Sequence, residues 1–336
     1  MHRLRGWAAR QAHWLGLAGA FGLAQPVAAA DYLDSPQVAE FVAEMTRDYG
    51  FAGEQLVGLF AEVQRKQAIL DAISRPAEKV KPWKDYRPIF ITDSRIARGV
   101  DFWREHEQTL ARAEQEYGVP AQVIVAIIGV ETFYGGNTGS YRVMDALSTL
   151  AFDYPPRAPF FRKELREFLM LAREEQVDPL SLKGSYAGAM GMPQFMPSSF
   201  RAYAVDFDGD GHINIWNNPV DAIGSVASYF KRHGWQPGEP VASRASVEGE
   251  QAAQGLAPGL DPVHNVGELR RLGWSSGDAL SDELPVTAFR LEGAEGDEYW
   301  LGLPNFFVIT RYNRSVMYAM AVNQLAELLV DARGRN

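Results

Sequence analysis

One glutamate stands near the end of an apolar stretch that is expected to be a helix. Between residues 119 and 135 apolar residues recur at helical spacing, and Ile124, Ile127 and Ile128 fall on one face. Glu131 follows these residues at spacings of seven, four and three, so its carboxylate belongs to the same face. An ionised carboxylate among isoleucines is costly unless it is paired, so the position favours the protonated form. A carboxylic acid that keeps its proton near neutral pH is suited to general acid catalysis.

The residues that flank this helix predict its limits. Pro120 is expected at the first helical position, where the missing N–H costs nothing, and Gly135-Gly136 is expected to end the helix. The alternative interpretation of Glu131 is a buried glutamate that is hydrogen-bonded for structural reasons. For an isolated glutamate this alternative is the commoner case, so the decision depends on the other motifs.

A loop of alternating acidic residues lies further along the chain. Asp206, Asp208 and Asp210 occupy positions one, three and five of an EF-hand calcium loop, and Gly211 occupies position six. Their oxygens can converge on one hard cation, while the glycine allows the sharp turn. Position twelve carries Asn217 instead of the usual glutamate, so a bidentate carboxylate has to come from elsewhere. A metal-free Asp-Gly turn is the alternative.

Asp221 is the candidate for the missing carboxylate. Asn218 and Pro219 are expected to start the next helix, which places Asp221 in its first turn. A carboxylate there lies beside the positive end of the helix dipole.

A glycine-rich stretch from Gly184 to Phe200 separates Glu131 from the acidic loop. Its three glycines and two prolines exclude a regular helix and allow the backbone to come close to another group. The small and amide side chains between them favour a ligand-facing loop. A structural linker is the alternative, but linkers seldom mix tyrosine, methionine and phenylalanine with glycine so densely.

The composition is that of a large soluble protein. The 336 residues are 46% hydrophobic and 22% charged, and the 12% of aromatic residues includes faces suited to sugar rings. The formal net charge of −9, with no dense basic block, argues against nucleic acid as a partner. There is no cysteine, so we expect no disulfide and no lipid anchor on a cysteine.

Residues 1–30 have the pattern of a signal peptide. A basic start is followed by an apolar run, which is too short to span a bilayer, and by the small residues Ala28-Ala29-Ala30. A retained membrane anchor is the weaker alternative. Removal of the three arginines of this segment changes the formal charge from −9 to −12. We therefore expect an exported, periplasmic protein that is soluble after processing.

The rest of the chain predicts a mainly α (α+β) fold. Ser35-Pro36 starts a helix that Gly50 ends, and a polar helix is expected from Thr92 or Asp93 to about Tyr117. Residues 76–88 are expected to be irregular, with exposed aromatic residues. Residues 236–302 are richer in glycine, proline, aspartate and serine, and their short β-like runs predict a small inserted β domain. A final helix follows to about residue 332.

Four motifs occur together in one order, and their combination resembles a known family. They are Val130-Glu131-Thr132, the glycine-rich loop with Gln194-Phe195-Met196-Pro197, the acidic loop, and Thr310-Arg311-Tyr312-Asn313. In this order they are similar to the membrane-bound lytic murein transglycosylase B family of Gram-negative bacteria, over nearly all of the chain after residue 30. The resemblance implies a lysozyme-like helical core (109–235), a helical flanking domain (31–108), a β domain (236–302) and a return to the core (303–336).

The resemblance also implies the activity and the roles of individual residues. The family cleaves the β-1,4 bond between N-acetylmuramic acid and N-acetylglucosamine in peptidoglycan and leaves a 1,6-anhydromuramoyl end. Glu131 matches its single catalytic acid and base. The residues that match its sugar groove are Tyr86, Arg157, Ser185, Gln194, Phe195, Tyr229, Tyr312 and Asn313. The residues that match its structural calcium site are Asp206, Asp208, Asp210, His212 through its carbonyl, and Asp221. No organic cofactor is implied, whereas glycan strands and cell-wall complexes are implied as partners.

A single carboxylate is chemically sufficient for this reaction. Most glycosidases need two, and the nearest carboxylates downstream of Glu131 are Asp145 and Asp153. A transglycosylase works with one, because the attacking 6-hydroxyl is already on the sugar and no bound water is needed. A muramidase that hydrolyses the same bond is the alternative among enzymes, and a non-catalytic, calcium-stabilised glycan-binding protein is the alternative outside them.

Overall fold

The computed structural model describes residues 31–74 and 81–334. The predicted signal peptide therefore lies outside the described residues. Within these ranges the chain forms fourteen α-helices and seven β-strands. The first six helices are α1 (Pro36–Tyr49), α2 (Gly53–Ala61), α3 (Gln67–Ile73), α4 (Trp83–Phe90), α5 (Asp93–Glu105) and α6 (Glu107–Tyr117). The predicted limits of α1 are confirmed, with Ser35 before its first residue and a left-handed Gly50 after its last.

Helix α4 corrects the prediction of an irregular, exposed segment at residues 76–88, of which 76–80 lie outside the described residues. The side chains of Trp83 and Tyr86 are 1% and 4% exposed, and their rings stack with 6.2 Å between centroids. Pro88 lies in the second half of this short helix. Burial of two large aromatic side chains therefore outweighs the low helix propensity of the proline-rich sequence.

The predicted polar helix from Thr92 to Tyr117 is two helices. The Thr92 hydroxyl accepts a hydrogen bond from the N–H of Arg95 and caps α5, as predicted. His106 then leaves the helical conformation at φ −113° and ψ 23°, and α6 starts at the next residue, Glu107. No glycine or proline marks this break, so local sequence does not predict it.

Helix α7 (Ala121–Thr132) is surrounded by other helices, namely α5, α6, α11 and α14. Ten of its twelve residues are buried, which leaves Gln122 and Glu131 as the partly exposed positions. The prediction of one buried face was therefore too narrow, because this helix is buried all round. The remaining helices are α8 (Val143–Asp153), α9 (Ala158–Glu174), α10 (Pro197–Tyr203), α11 (Pro219–Arg232), α12 (Val266–Arg271), α13 (Pro304–Tyr312) and α14 (Val316–Gly334).

Two antiparallel sheets complete the fold. A short pair joins β1 (Tyr141–Arg142) to β2 (Lys183–Gly184). The larger sheet has the order β4-β6-β7-β3-β5. Its strands are β3 (Ala242–Val247), β4 (His264–Asn265), β5 (Trp274–Ser276), β6 (Pro285–Gly293) and β7 (Gly296–Gly302). The inserted β region is thus present where the composition changes, and helix α12 lies within it as predicted.

The apolar core continues across the helical part of the chain. Side chains from α1 to α11, α13 and α14 form one buried cluster. The core therefore continues across residue 108, where the resemblance implied a boundary between the helical flanking domain and the lysozyme-like core. The β region has a second, smaller cluster that includes Val266, Trp274 and Leu301. Among the described residues, none of the helices combines the length and apolar character needed to cross a membrane.

Candidate active site

Glu131 is the penultimate residue of α7 and is half-buried. Its Oε1 accepts a hydrogen bond of 2.6 Å from the hydroxyl of Tyr318, which lies in the first turn of α14 and is 3% exposed. Burial, together with the nearby charge of Glu131, raises the pKa of Tyr318 well above that of a free phenol. Tyr318 therefore keeps its proton at neutral pH and acts as a donor to Glu131.

The backbone after Glu131 is strained. Helix α7 ends at Thr132, two residues before the predicted stop, and Phe133 and Tyr134 follow with φ of 53° and 59°. Left-handed conformations at two consecutive aromatic residues are costly and persist where the surroundings enforce them. The Tyr134 ring lies so close to Gly129 that a Cβ there would come within 2.6 Å, and the Tyr134 hydroxyl donates to the carbonyl of Arg95. Gly129 is therefore the glycine that this turn requires.

Thr132 connects the end of α7 to the glycine-rich loop. Its side chain is 1% exposed, and its hydroxyl lies 3.0 Å from the carbonyl oxygen of Met192 and 3.2 Å from that of Ile128. The same oxygen accepts the N–H of Gly135 at 3.0 Å. The segment that carries Glu131 and the glycine-rich loop are thus held together by one buried hydroxyl.

Gln194 lies on this loop in an unusual conformation, with φ of 51°. Its Nε2 donates to the carbonyl oxygens of Gly191 at 2.9 Å and Thr138 at 3.2 Å. Because both neighbours are carbonyl oxygens, which only accept, the amide atom that faces them is the nitrogen. Oε1 is then the atom that remains for a ligand. The Ser185 hydroxyl instead accepts the N–H groups of Ala187 and Ala189 and shapes the loop itself.

Three aromatic residues from separate elements meet behind the loop. The ring centroids of Phe195, Tyr229 and Tyr312 lie 4.7 to 5.8 Å apart. The Tyr312 hydroxyl donates to the Pro193 carbonyl at 2.6 Å, and the nearby charge of Glu131 adds to burial in raising the pKa of Tyr312. Phe195 and Tyr229 are 2% and 7% exposed, so their rings support the loop from within.

The other predicted groove residues lie in different surroundings. Tyr86 is 4% exposed on α4, and its proximity contributes to the raised pKa of Tyr318. Arg157 is exposed, and its guanidinium lies 4.4 Å from the ring centroid of Phe160. Asn313 is half-buried, immediately after α13. The glutamate, the loop and the tyrosines are brought together, whereas Arg157 is not linked to them by a direct contact.

The acidic loop forms a group of carboxylates. Within the described ranges, Asp206, Asp208 and Asp210 each offer an oxygen within 4.8 Å of the other two. Asp206 accepts the N–H groups of Gly209 and Gly211, whose φ values of 78° and 96° confirm the need for glycine. Three converging carboxylate oxygens in a loop of fixed shape fit a hard cation such as calcium.

Asp221, the fifth predicted calcium ligand, contacts both ends of the acidic loop. It is fully buried, and its two oxygens accept the N–H groups of Phe207 and Asn214, each at 2.8 Å. Burial raises the pKa of Asp221, and these two hydrogen bonds partly offset the effect. Asp221 thereby links the two ends of the loop, and each of its oxygens keeps a second lone pair that can face a cation. His212 follows as an exposed residue whose N–H donates to Asp210.

The two carboxylates nearest to Glu131 in sequence have structural partners. Asp145 is 1% exposed and accepts hydrogen bonds from Arg142 and from the N–H of Gln64. Asp153 accepts the Tyr32 hydroxyl at 2.7 Å and pairs with Arg65. Both tie the N-terminal helices to α8.

Residues 34–327 match the profile of the transglycosylase SLT domain. The chain belongs to the transglycosylase SLT family. It is accordingly an enzyme, a lytic transglycosylase with the lysozyme-like, mainly α fold that the sequence predicted. These findings confirm the resemblance drawn from the four motifs.

Relatives of this SLT-family chain cover most of its length. The membrane-bound lytic murein transglycosylase B of Escherichia coli K12 is 46% identical over 312 residues, which are 90% of this chain and 85% of the relative. The structure of catenated SltB1 from Pseudomonas aeruginosa is 74% identical, covers 90% of this chain and 100% of that one, and has a TM-score of 0.88. The E. coli lytic transglycosylase Slt35 in complex with calcium is 46% identical with coverages of 90% and 96% and a TM-score of 0.84.

A structure of Pseudomonas aeruginosa SltB3 contains a ligand. It is a complex with NAG-NAM-pentapeptide, is 30% identical, covers 89% of this chain and 79% of that one, and has a TM-score of 0.77. Relatives therefore bind peptidoglycan-derived glycan that bears a peptide.

Sequence reasoning missed Tyr318 and Thr132 as parts of this site. Tyr318 lies 187 residues from Glu131 and no local pattern joins them. Thr132 could have been predicted from the sequence, because a hydroxyl directly after the glutamate, in the last turn of a buried helix, needs a hydrogen-bond partner.

Proposed function

We propose that Glu131 is the catalytic acid and base of this lytic transglycosylase. The observation that supports the proposal is its position: a half-buried carboxylate at the end of a buried helix, held by the hydroxyl of Tyr318. The substrate bond is the β-1,4 linkage between N-acetylmuramic acid and N-acetylglucosamine, and the product is a 1,6-anhydromuramoyl end.

In the first step, Glu131 donates its proton to the glycosidic oxygen. The bond from this oxygen to C1 of the muramoyl residue breaks, and the leaving sugar takes the proton. The acetamido group of the muramoyl residue shields the positive charge at C1. Glu131 is then a carboxylate, and the hydrogen bond from Tyr318 stabilises this charged form.

In the second step, the muramoyl 6-hydroxyl attacks C1. Its proton passes to the Glu131 carboxylate, so the enzyme returns to its starting form without consuming water. The attack is intramolecular, which replaces the bound water and second carboxylate of most glycosidases. The structural roles of Asp145 and Asp153 support this one-carboxylate mechanism.

Gln194 is proposed as the polar contact to the substrate. Its Oε1 can accept the N–H of a sugar acetamide, because its nitrogen is already used by two carbonyl oxygens. Tyr312 and Asn313 are proposed to border the same groove, with Ser185, Phe195 and Tyr229 supporting it from behind. Tyr86 and Arg157 are proposed to contact the glycan further from the cleaved bond.

The acidic loop is proposed to hold a structural calcium ion. Asp206, Asp208 and Asp210 would supply side-chain oxygens, and His212 its carbonyl. Asp221 is proposed as the further carboxylate ligand, and its two hydrogen bonds also fix both ends of the loop. The ion would stabilise the folded loop and takes no part in the proton transfers.

We also propose a periplasmic location, which rests on the signal-peptide pattern of residues 1–30. Cell fractionation compares the intact chain with one whose apolar run is interrupted by charged residues. Export of both chains alike would contradict the proposal.

The decisive experiment for the reaction is mass spectrometry of the muropeptides that the enzyme releases from purified peptidoglycan. Products lacking one water relative to the reducing sugar are expected, because the 6-hydroxyl replaces water. Reducing ends would identify a muramidase instead.

A further inference from the structure

Arg95, in the first turn of α5, joins the C-terminal ends of two other helices. Its side chain is half-buried, and its Nε donates to the carbonyl oxygen of Gly129, in the last turn of α7, at 3.0 Å. Its Nη1 donates to the carbonyl oxygens of Ile89 and Phe90, at the end of α4, at 2.7 and 3.0 Å. One planar guanidinium, whose donors point in fixed directions, therefore links α7 to α4.

The same arginine supports the strained turn that follows Glu131. Its guanidinium lies 5.2 Å from the centroid of the Phe133 ring, a distance at which a cation is attracted to an aromatic face. Its backbone carbonyl accepts the hydroxyl of Tyr134 at 3.0 Å. Phe133 and Tyr134 are the two left-handed residues of this turn, and such a backbone persists where its surroundings enforce it. Both of these residues thus contact Arg95.

The charge of Arg95 lies at the negative end of the helix that carries Glu131. The last carbonyl groups of a helix lack intrahelical partners and disfavour a carboxylate nearby. Arg95 offsets this effect at Gly129, two residues before Glu131. The phenols that interact with Glu131 from other helices are Tyr318 and Tyr312, whose pKa values are raised by burial and by the charge of Glu131. Both are uncharged at neutral pH, so they do not supply a positive charge.

Arg162 makes the same kind of contact at another helix end. It is also half-buried, its Nε donates to the carbonyl of Ala151 in the last turn of α8, and its guanidinium lies 5.5 Å from the Phe152 ring. Closing a helix end with an arginine is therefore not by itself a sign of function. Arg95 differs because the helix end that it closes carries Glu131, and because it joins that end to a second helix.

We propose that Arg95 is a positioning residue for Glu131. By holding the turn after Glu131 and the end of α4, it fixes the direction in which the carboxylate leaves α7 relative to Tyr86 on α4. Its charge stabilises the carboxylate that exists between the two proton transfers. Arg95 acts through the Gly129 carbonyl and the turn, not on the substrate. The inference rests on the proposed function and adds a residue that prepares Glu131 for both steps.

Steady-state kinetics of Arg95→Met on soluble glycan strands tests this role. Methionine keeps an apolar stem but removes the charge and all three donated hydrogen bonds. The expected result is a kcat about 10-fold lower at an unchanged KM, because the change affects Glu131 and not the binding of glycan. Without the charge, Glu131 should keep its proton to higher pH. The rate profile should therefore shift to higher pH by about 0.5 unit, the size expected for one charge at a helix end.

Arg95→Lys separates position from charge. An ammonium group keeps the charge but cannot donate along the two directions of the guanidinium, so kcat should fall while the pH profile stays in place. Arg162→Met is the matched control: it opens the end of α8 and should keep the wild-type kcat and pH profile. All rates are expressed per folded protein, with the folded fraction measured by circular dichroism.

A kcat and a pH profile of Arg95→Met equal to those of Arg162→Met would overturn the proposal, as would a rise in KM that accounts for the whole loss of activity. If Arg95→Met does not fold, Arg95→Lys decides: a wild-type kcat would overturn the proposal, and a lower kcat at the wild-type KM would support it. The activity of Glu131→Gln tests the proposed acid separately, because that variant keeps Arg95.

Discussion

The hydroxyl of Tyr318 lies 2.6 Å from Oε1 of Glu131, although 187 residues separate them in the chain. The two residues belong to α14 and α7, which pack against each other in the centre of the helical body. This contact orients the carboxylate and gives its charged form a donor that does not titrate in the working range of pH. The following predictions begin from this pair.

Tyr318→Phe should lower kcat by about 10- to 100-fold, as expected for the loss of a hydrogen bond to a charged group. The lost donor stabilised the ionised carboxylate, so Glu131 should keep its proton to higher pH. The high-pH limb of the rate profile should therefore shift to higher pH. Tyr32→Phe is the control, because it removes another buried phenol that donates to a carboxylate, Asp153. A reduced rate with an unmoved pH profile would assign Tyr318 a merely structural role.

Glu131→Gln should abolish most activity while the fold persists. Proton transfer by one positioned group is typically worth ~10²–10⁴-fold, and here a single residue serves both steps. The amide oxygen of glutamine can still accept the Tyr318 hydroxyl, so little packing changes. Glu164→Gln makes the same substitution at a buried glutamate that contacts Ser198 at the start of α10 and not Tyr318, and should keep the rate. Near wild-type release of anhydromuropeptides by Glu131→Gln would contradict the mechanism.

Gln194→Gly should reduce kcat/KM by about 10-fold or more at an almost unchanged melting temperature. Glycine adopts the observed φ of 51° without strain, so the change removes the side chain and its ligand-facing oxygen with little effect on the backbone. Gln176→Gly is a matched control, because Gln176 also has a left-handed backbone, with φ of 54°, and lies in the turn after α9. Equal activities of the two variants would show that Gln194 serves the loop alone.

Calcium should raise the melting temperature, and Asp210→Ala should remove this effect. A ligand that binds only the folded protein stabilises it by ~2.7 kcal/mol at a concentration one hundred times its Kd. Loss of one of three carboxylates weakens the site strongly. Differential scanning calorimetry with calcium or a chelator measures both effects, with the exposed Asp71→Ala as control. Identical melting curves in calcium and chelator would disprove a structural ion.

Glu164→Gln should gain stability relative to the wild type as the pH rises from 4 to 7. Burial raises the pKa of Glu164, which accepts the N–H and the hydroxyl of Ser198 at the start of α10. The stability that its protonated form contributes is fully present below the usual glutamate pKa of about 4.3 and is lost as the pH rises through the raised value. In glutamine, Oε1 can accept the N–H of Ser198 and Nε2 can donate to its hydroxyl, as the protonated acid does, so the uncharged variant escapes this loss.

Urea unfolding at several pH values measures the difference between the two proteins. The exposed Glu40→Gln, on α1, should show a difference that does not vary with pH. If the stability difference between Glu164→Gln and the wild type were likewise independent of pH, the charge of Glu164 would not destabilise the folded protein.

Short-range patterns in the sequence predicted much of the architecture and part of the site. Ser35 and Gly50 bound α1, Thr92 caps α5, and the change of composition after residue 236 marks the β region. The Asp-rich loop was predicted in the same way, because spacing along the chain places its carboxylates together. Caps, glycine turns and metal loops are formed by neighbouring residues, so their signal is local.

Where local propensity and packing disagree, the packing decided. The proline-rich segment at Trp83 is helical because two aromatic side chains are buried there, and the helix predicted from Thr92 to Tyr117 breaks at His106 without a local signal. Asp221, in the first turn of α11, also accepts two backbone N–H groups of the acidic loop, which the sequence did not predict.

The sequence by itself identified Glu131 as the candidate acid and predicted its place at the end of a buried helix, because apolar spacing and a single carboxylate are properties of one segment. Only the tertiary structure decided what surrounds that carboxylate. Tyr318 reaches it from α14, Thr132 ties it to Met192, and Gln194 presents its amide oxygen from a left-handed backbone. These contacts depend on how helices pack around α7. The free energy of that packing is shared among many distant residues, so no single stretch of sequence encodes it.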